Sequence, residues 1–471
     1  MTSIAQDQQN ARNGQDTQDA QNTQTAQAAQ DGLRGAIVRP TDPAFATLAR
    51  TALAVAEPAV VVRPVDTADV VRAVRLAAAS GLDVAVRGGG HSAAGWGTVD
   101  GGLVIDLAEL TTVEMLDERL VRVGGGARWR DVMAVLAPLG LLVSSGDTAD
   151  VGVGGLTLSG GVGWAVRRDG LALDRLRAVE MVTASGDVIR ADAEHEPELF
   201  WAVRGGGGAF GIVTAFEFEA ADGGDVDVVT IGFAPDAVER VLPAWASFLC
   251  TADERISSTL ALADPRSGGR DARVRIRMVV TDGADAAAAA STIAAADASA
   301  EVEIARMPYP AVLDEGAALP PGLGVVSRSE FAAGDADAAL AHVARAARAA
   351  RPLPFTVHAL GGAFSRVGAD STAFAHRAAE FLITTFSVAP TAALPAVRAA
   401  QDEVWSLLHP LCIGAYANGL DGGSAQAVDA IHPDAVRARL RAVKDRLDPR
   451  GLFGRNFGPA GSLASGPRED A

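Results

Sequence analysis

Cysteine and lysine are scarce in this chain of 471 residues, and each scarcity excludes a class of site. The two cysteines, Cys250 and Cys412, lie far apart and match neither a metal-ligand spacing nor a disulfide framework, so they are predicted to be free core thiols. Lys444 is the only lysine, which excludes a Gly-Lys-Ser/Thr phosphate-binding loop. His195, His342, His409 and His432 are scattered along the chain and form no metal-like cluster. We therefore predict no metal site.

Long apolar runs are also missing. No window is apolar enough to cross a membrane, and the alanine-rich stretch 284–300 carries Asp285 and Asp297, which is typical of a surface helix. Residues 1–32 are rich in Gln, Asn, Asp and Thr and have neither the apolar core nor the twin arginine of an export signal. We expect a disordered tail there, a flexible tail at 461–471, and a cytoplasmic protein.

The charge balance is strongly acidic. Asp and Glu total 58 against 41 Lys and Arg, which gives a formal net charge of −17. Such a surface disfavours nucleic acid and anionic membranes as partners. A hydrophobic content of 49% with 21% charged residues is typical of a globular protein of two or three domains. A small molecule is therefore the expected partner, and the sequence leaves the oligomeric state open.

The distribution of glycine divides the chain. Residues 33–221 contain three glycine clusters, 222–410 alternate strand-like segments with alanine-rich helices, and 411–460 regain loop character. We predict a cofactor domain, a substrate domain, and a C-terminal return to the first domain. Within the first, the pattern predicts a helix from Asp66 or Thr67 to Ser80, ended by Gly81, and a hairpin at Ser185-Gly-Asp.

The three glycine clusters lie at 88–90, 152–163 and 205–208. One such cluster usually marks a turn or close packing, but three in one region indicate a long ligand that lies against the backbone. Residues Arg87–Ser92 follow a predicted strand and suit an anion nest for a pyrophosphate. Gly206, Gly208 and Gly211 fit G-x-G-x-x-G, yet a strand-like segment follows instead of the helix that a Rossmann unit requires.

These motifs resemble a known family. RGGGH at 87–91, VGVGGLTLSGGVGW at 151–164, ELFWAVRGGGGAFGIVTAFEF at 198–218, YANG at 416–419 and LDPRGLF at 447–453 occur in the order typical of berberine bridge enzyme-like flavoproteins. These belong to the vanillyl-alcohol-oxidase, or PCMH-type FAD-binding, superfamily. The similarity runs from about residue 35 to 460. On this basis the chain is identified as a member of that family.

The resemblance implies an α+β fold with a two-lobed FAD-binding domain and a substrate domain whose antiparallel sheet is backed by helices. It implies an FAD-dependent oxidoreductase with the flavin covalently bonded to His91 through its 8α-carbon, a bond that should raise the flavin's potential. The residues that the resemblance assigns to the cofactor are Arg87, Gly88, Gly89, Gly90, His91, Ser92, Gly146, Asp147, Val151, Gly152, Gly154, Gly155, Gly160, Gly161, Gly163, Gly211, Ile212, Val213 and Asn456.

The sequence departs from the family pattern in two places. Many members carry a second tether, a cysteine in G-x-C-x-x-V-G, and Thr148 stands at that position here. Since threonine does not form that bond, we predict a single covalent link. The family's C-terminal N-Q-N appears as Asn456-Phe457-Gly458, so a flavin contact is expected from Asn456 alone.

Tyr416 is the candidate catalytic residue, and the chain has only one other tyrosine, Tyr309. The segment Tyr416-Ala-Asn418 resembles the one that places a tyrosine near the reactive flavin face. Tyr416 would take the hydroxyl proton of the substrate while hydride passes to flavin N5. Its unperturbed pKa of roughly 10 would have to be lowered by donors or positive charge. Asn418 would position Tyr416 or the substrate. The alternative is a buried tyrosine bonded to backbone.

Three further residues have two interpretations each. His358 contacts substrate if its strand face is turned to the flavin, and is otherwise a packed histidine. His376 is more readily explained by structure than by chemistry. Arg366 either receives an anionic substrate group or forms a surface salt bridge.

The predicted function is an oxidase with dioxygen as electron acceptor. In the resemblance Val151 borders the space above flavin C4a, and valine leaves more room for dioxygen than leucine would. The substrate is an alcohol, a sugar or a secondary metabolite, and the sequence does not distinguish alcohol oxidation from desaturation or ring closure. The alternatives are a flavoprotein that sequesters a drug-like metabolite with little turnover, and a glycine-rich scaffold without flavin.

Overall fold

The computed structural model describes residues 32–262, 274–281, 283–316, 318–334, 336–348 and 353–457. The predicted tails, residues 1–32 and 461–471, lie outside the described residues, apart from Gly32. Gly458 also lies outside the described residues. Within the described ranges, no helix is both long and apolar enough to cross a membrane.

In the described part of the chain, the strands form three main sheets and one short two-stranded pair. They are β1 (Ala36–Val38), β2 (Val60–Arg63), β3 (Val84–Arg87), β4 (Leu103–Asp106), β5 (Val113–Met115), β6 (Leu120–Gly124), β7 (Leu141–Leu142), β8 (Leu176–Val182), β9 (Val188–Asp192), β10 (Ile212–Glu219), β11 (Ala221–Asp222), β12 (Asp225–Phe233), β13 (Ile256–Leu262), β14 (Val274–Val280), β15 (Glu301–Pro308), β16 (Leu323–Ala332), β17 (Phe355–Ala359), β18 (Phe381–Pro390) and β19 (Cys412–Ala415).

Helices connect and cover these strands. They are α1 (Phe45–Leu48), α2 (Thr67–Ser80), α3 (Trp129–Leu136), α4 (Val153–Ser159), α5 (Val166–Asp169), α6 (Pro197–Ala202), α7 (Val238–Thr251), α8 (Ala286–Ala294), α9 (Ala336–Ala347), α10 (Ala363–Arg366), α11 (Leu394–Leu408), α12 (Ala425–Asp429) and α13 (Asp434–Leu447).

The first sheet has the order β1-β2-β4-β3, with β4 parallel to both β2 and β3. Helix α2 connects β2 to β3 within the predicted bounds. The Asp66 side chain caps it by accepting a hydrogen bond from the Asp69 N–H at 2.8 Å, and Gly81 ends it with a φ of 68° that glycine adopts without strain. Strand β3 then delivers the chain directly into the glycines at 88–90.

The second sheet is antiparallel throughout, in the order β5-β6-β10-β8-β9. Strands β8 and β9 form the hairpin predicted around Ser185-Gly-Asp, with Val182 opposite Val188. The segment after the third glycine cluster is strand β10 and not a helix, which confirms that its G-x-G-x-x-G spacing does not form a Rossmann unit. The apolar side chains of β10, among them the stacked Phe216 and Phe218, pack in the core beneath this sheet.

The third sheet has eight antiparallel strands in the order β15-β12-β14-β13-β17-β18-β16-β19. One face is apolar and packs against α7, α8, α9 and α11. Because side chains alternate along a strand, the intervening residues of β16, β17 and β18 belong to the opposite face. The predicted α+β fold, with an antiparallel sheet backed by helices, is confirmed.

The C-terminal stretch from residue 411 contributes both to the first region, residues 33–221, and to the second region, residues 222–410. Strand β19 pairs with β16 and extends the eight-stranded sheet, whereas Leu440 and Val443 of α13 join the core of the first region. Phe453 packs beside β2, β4 and α2. The described residues from α13 onward thus pack with the first region, and the predicted return and the domain boundaries at 221, 410 and 460 stay predictions.

Candidate active site

One cavity of about 400 Å³ lies between the glycine loops and the free face of the eight-stranded sheet. This volume is typical of a small-molecule or cofactor site. Most of the predicted cofactor residues line it, and so do both predicted catalytic residues. These are Arg87, Gly88, Gly89, Gly90, His91, Ser92, Gly146, Asp147, Val151, Gly152, Gly154, Gly155, Gly211, Ile212, Val213, Tyr416, Asn418 and Asn456.

Two of the glycine clusters touch each other along the cavity wall. A Cβ on Gly89 would lie 2.2 Å from the backbone nitrogen of Gly152, and a Cβ on Gly152 would lie 2.2 Å from the nitrogen of Gly89. No side chain fits between these segments. The close approach explains why both positions are glycine, and it leaves the cavity wall lined by backbone.

A Gly89→Ala substitution is therefore expected to lower the free energy of unfolding by about 1–3 kcal/mol, because the new methyl group must push two backbone segments apart. The midpoint of urea unfolding measures this loss. Gly208→Ala is the matched control, since a Cβ at Gly208 meets nothing within 4 Å. Equal midpoints for the two variants would contradict the packing argument.

His91 stands where the first glycine cluster ends. Its Nδ1 lies 2.9 Å from the Gly89 carbonyl oxygen, which can only accept, so Nδ1 donates. Burial lowers the pKa of His91, and the charges of Arg128 and Arg130 lower it further, while the Gly89 bond opposes them. The imidazole is thus neutral near pH 7 and keeps one nitrogen lone pair for bond formation.

Three side chains that the sequence did not predict line the cavity near Asn456. Trp96 and Phe457 pack edge to face with ring centroids 5.3 Å apart, and the Arg455 guanidinium lies 5.7 Å from the Trp96 ring centroid. Arg455 also donates to the Thr98 carbonyl oxygen at 3.3 Å. The Asn456 amide donates to the Phe453 carbonyl at 3.1 Å. Arg455 and Phe457 flank Asn456 in the sequence, and that adjacency was the signal that could have identified them.

Tyr416 Oη is surrounded by hydrogen-bond donors. The N–H groups of Gly161 and Val162 donate to it at 3.0 and 3.2 Å, and Asn418 Nδ2 donates at 3.1 Å. Burial raises the pKa of Tyr416, the three donors lower it in part, and the negative charge of Asp147 raises it. The donors oppose burial without overcoming it, so the pKa lies above the ordinary tyrosine value.

Asn418 and Gly160 fix the position of this phenol. Asn418 Nδ2 also donates to the Leu156 carbonyl at 3.1 Å, so the amide joins the tyrosine segment to α4. Gly160 has a φ of +148°, and a Cβ there would lie 2.8 Å from the Tyr416 ring. Asn418 therefore contacts Tyr416 directly, and its role in positioning Tyr416 or the substrate stays a prediction.

Side chains from β16, β17 and β18 form the opposite wall. Ser329, His358, Leu382 and Thr384 line the cavity, and the hydroxyls of Ser329 and Thr384 lie 2.6 Å apart. Burial lowers the pKa of His358, and the charge of Asp147 partly offsets this, so the imidazole is neutral. The structure thus places His358 in the cavity and not in the packed core.

Three predicted cofactor glycines are not among the residues that line this cavity in the described part of the chain. A Cβ on Gly161 would lie 2.4 Å from the Ala172 Cβ, and one on Gly163 would lie 1.9 Å from the Ser145 carbonyl oxygen. Gly160 packs against Tyr416. These three glycines allow close packing behind the wall, and their contact with the cofactor stays a prediction.

Thr148 stands at the position where the family pattern places a second tether. Thr148 Oγ1 donates to Asp147 Oδ1 at 3.0 Å, and Thr148 lies outside the lining. Both thiols are free, but the prediction that they lie in the core is wrong for Cys250, which is exposed on α7, while Cys412 is half-buried on β19. Neither thiol lines the cavity.

Two further candidates have structural explanations. Arg366 forms an exposed ion pair with Glu254 and does not line the cavity, which favours its salt-bridge interpretation. His376 is buried, and its Nε2 lies 2.8 Å from the Ile431 carbonyl. Residues 32–262, 274–281, 283–316, 318–334, 336–348 and 353–457 contain no group of His, Cys, Asp or Glu arranged to hold a metal ion.

The wall of this cavity fits FAD. Buried nitrogens without hydrogen-bond partners are unusual in folded proteins and suggest an unfilled partner. Trp96 Nε1, Arg455 Nε and His432 Nδ1 are three such atoms, and all three residues line this cavity. Together with the side-chain-free wall at Gly89 and Gly152, they provide donors and room for an elongated, anionic ligand.

The model of the FAD binding domain family matches residues 58–192. A curated relative, (R)-6-hydroxynicotine oxidase of Paenarthrobacter nicotinovorans, is 37% identical over 190 residues, which cover 40% of this chain and 42% of that protein. The chain thus matches less than half the length of this relative.

Solved structures share nearly the whole fold. BBE-like 1 of Physcomitrella patens has a TM-score of 0.81 at 21% identity and covers 92% of this chain and 98% of its own. Glucooligosaccharide oxidase of Acremonium strictum, whose structure is described as holding a 6-S-cysteinyl, 8α-N1-histidyl FAD, has a TM-score of 0.80 at 21% identity, covering 92% and 99%. Residues 58–192 thus match an FAD binding domain, and the fold of the chain is that of the BBE-like and oligosaccharide oxidase structures.

Proposed function

We propose that this protein is an FAD-dependent oxidase that removes a hydride and a proton from a small organic substrate, such as an alcohol, a sugar or a secondary metabolite. The observation that supports this proposal is the position of Tyr416. Its hydroxyl lies in the wall of the same cavity as the His91 loop and is held by three donors. The Tyr416 hydroxyl, which can exchange a proton, thus lies in the same cavity as the proposed cofactor site.

FAD, when bound, supplies the hydride acceptor and passes the electrons to dioxygen. The chain's own residues handle the proton. In its phenolate form Tyr416 takes the hydroxyl proton of the substrate at Oη, and the N–H groups of Gly161, Val162 and Asn418 stabilise the negative charge that Oη carries beforehand. Because those donors are fixed by backbone and by α4, their positions require no rearrangement during the reaction.

We further propose a single covalent bond between FAD and His91. The histidyl link of the Acremonium enzyme supports this proposal. We expect no second, cysteinyl link, because the resemblance places Thr148 at the cysteine position and neither Cys250 nor Cys412 lines the cavity. Arg87 holds the loop in place, since its guanidinium donates to Asp106 at 3.0 Å and to the Leu48 carbonyl at 2.7 Å.

Val151 lines the cavity, and its size is expected to favour reoxidation by dioxygen. Photoreduced protein mixed with aerated buffer in a stopped-flow instrument should reoxidise faster than free FAD. Val151→Leu should slow this step by about tenfold, which corresponds to about 1.4 kcal/mol of barrier. Val151→Ala is the control and should retain the wild-type rate. Reoxidation no faster than that of free FAD would contradict the oxidase proposal.

Anaerobic titration of candidate substrates against the flavin spectrum tests the proposed function. Bleaching of the flavin by an alcohol, a sugar or an amine would demonstrate substrate oxidation. Ligands that perturb the spectrum without bleaching would instead support a protein that binds and sequesters a metabolite. A chain that binds no FAD under any loading condition would contradict both.

A further inference from the structure

We propose that Asp147 is a specificity-determining residue that selects substrates carrying a protonated nitrogen. This inference rests on the proposed function, because it names the class of molecule that the cavity binds. It follows from the position of Asp147, its missing partner and the charges at the two ends of the cavity.

Asp147 is held firmly in the cavity wall. Its carbonyl oxygen accepts a hydrogen bond from the Asp314 N–H at 2.8 Å, and the Asp314 carbonyl accepts one from the Ala149 N–H at 2.9 Å. The loop is thereby paired with a segment of the second region on both sides of Thr148. Asp147 is half-buried and lines the cavity together with Tyr416 and His358.

Unlike its neighbours, Asp147 has no cationic partner among the described residues. Asp150 pairs with Arg128 at 3.3 Å, and Asp314 pairs with Arg277 at 3.5 Å. The Asp147 carboxylate accepts a hydrogen bond from the Thr148 hydroxyl instead. A half-buried carboxylate without a counter-charge is costly unless a ligand supplies one.

The surroundings favour a cation in this part of the cavity. His358 is neutral because of its burial, so it adds no positive charge beside Tyr416. The two arginines in the lining both contact other groups: Arg87 pairs with Asp106, and Arg455 lies over Trp96. Tyr416 and His358 line the cavity together with Asp147, and the negative charge of Asp147 raises the pKa of both. A protonated nitrogen would neutralise this charge, whereas a carboxylate would be repelled.

Ligands of one shape and three charges test the proposal. Tyramine, tyrosol and 4-hydroxyphenylacetate form one such set, and benzylamine, benzyl alcohol and benzoate form a second. Their dissociation constants are measured anaerobically by perturbation of the flavin absorbance of the FAD-loaded protein. In at least one set, the cation should bind at least about tenfold more tightly than the neutral ligand, and the anion most weakly.

Asp147→Asn should bring the dissociation constants of cation and neutral ligand within threefold of each other. Asp314→Asn makes the same change in net charge outside the lining and should leave the preference intact. Equal binding of cation and neutral ligand to the wild-type protein, an unchanged preference in Asp147→Asn, or no binding of either cation would overturn the proposal.

Failure of the proposed function is distinguished by a second measurement. Equilibrium dialysis with the same six ligands records binding whether or not the protein carries flavin. Absence of FAD together with a preference for cations that requires Asp147 would refute the oxidase and keep the charge selection. Bleaching of the flavin by a substrate, without any preference for cations, would support the oxidase and refute the charge selection.

Discussion

Tyr416→Phe is expected to reduce flavin reduction by substrate by about 10²–10⁴-fold, the usual contribution of a positioned proton acceptor. The substitution removes Oη and leaves the ring in contact with Phe331, whose centroid lies 5.7 Å away. The amount of FAD per protein should stay unchanged, since the phenol is held by protein donors. Anaerobic stopped-flow reduction measures the rate, and absorbance measures the cofactor content.

The dependence of that rate on pH separates a proton acceptor from a packing residue. The pKa of Tyr416 is raised, so phenolate forms only in the alkaline range. The wild-type rate should therefore rise about tenfold per pH unit until the raised pKa is reached, and the Tyr416→Phe rate should be flat. Tyr309→Phe is the matched control, because Tyr309 is fully buried and does not line the cavity. A Tyr416→Phe variant with most of its rate would refute the proton-transfer role.

His91→Ala is expected to abolish covalent attachment completely. Wild-type protein should show a fluorescent band on a denaturing gel viewed in acid under ultraviolet light, and the variant should show none. The reason is the neutral imidazole of His91 at the end of the glycine loop, the position to which the resemblance assigns the covalent link. Mass spectrometry of the intact chain gives the same answer independently.

A variant with both cysteines replaced, Cys250→Ser and Cys412→Ser, is the control for the number of links. It should keep the fluorescent band at full intensity, because neither thiol lines the cavity. A band that persists in His91→Ala would disprove the histidyl link. A band weakened in the double serine variant would disprove the single attachment.

The sequence predicted the parts of this molecule that depend on neighbouring residues. Helix α2 begins and ends where Asp66 and Gly81 cap it, and the hairpin turns at Ser185-Gly-Asp. Glycine at position 89 marks a real contact between two backbone segments. The helix caps and the hairpin depend on neighbouring residues. Gly89 could be interpreted because a position without a side chain indicates close approach of backbone.

The substrate wall could not be predicted in the same way. Whether His358 points to the helices or to the cavity depends on which face of the eight-stranded sheet packs against the first region, and the sequence of β17 does not say. Ser329 and Thr384 were missed for this reason. The absent partner of Asp147 was equally invisible, because the nearby arginines pair with other carboxylates only in three dimensions. A glycine motif also does not show whether its backbone contacts a ligand or another part of the protein. Gly161 packs against Ala172, and Gly163 packs against Ser145.

The two walls of the cavity differ in kind. One is backbone, drawn together at Gly89 and Gly152, and the other consists of side chains that alternate along sheet strands, such as Ser329, His358 and Thr384. Mutation has little freedom where these two segments meet, because a side chain at Gly89 or Gly152 displaces main chain. On the second wall a residue can change without disturbing the core, since its neighbours in sequence face the helices. Redox chemistry can thus be inherited intact while selectivity diverges, one strand position at a time.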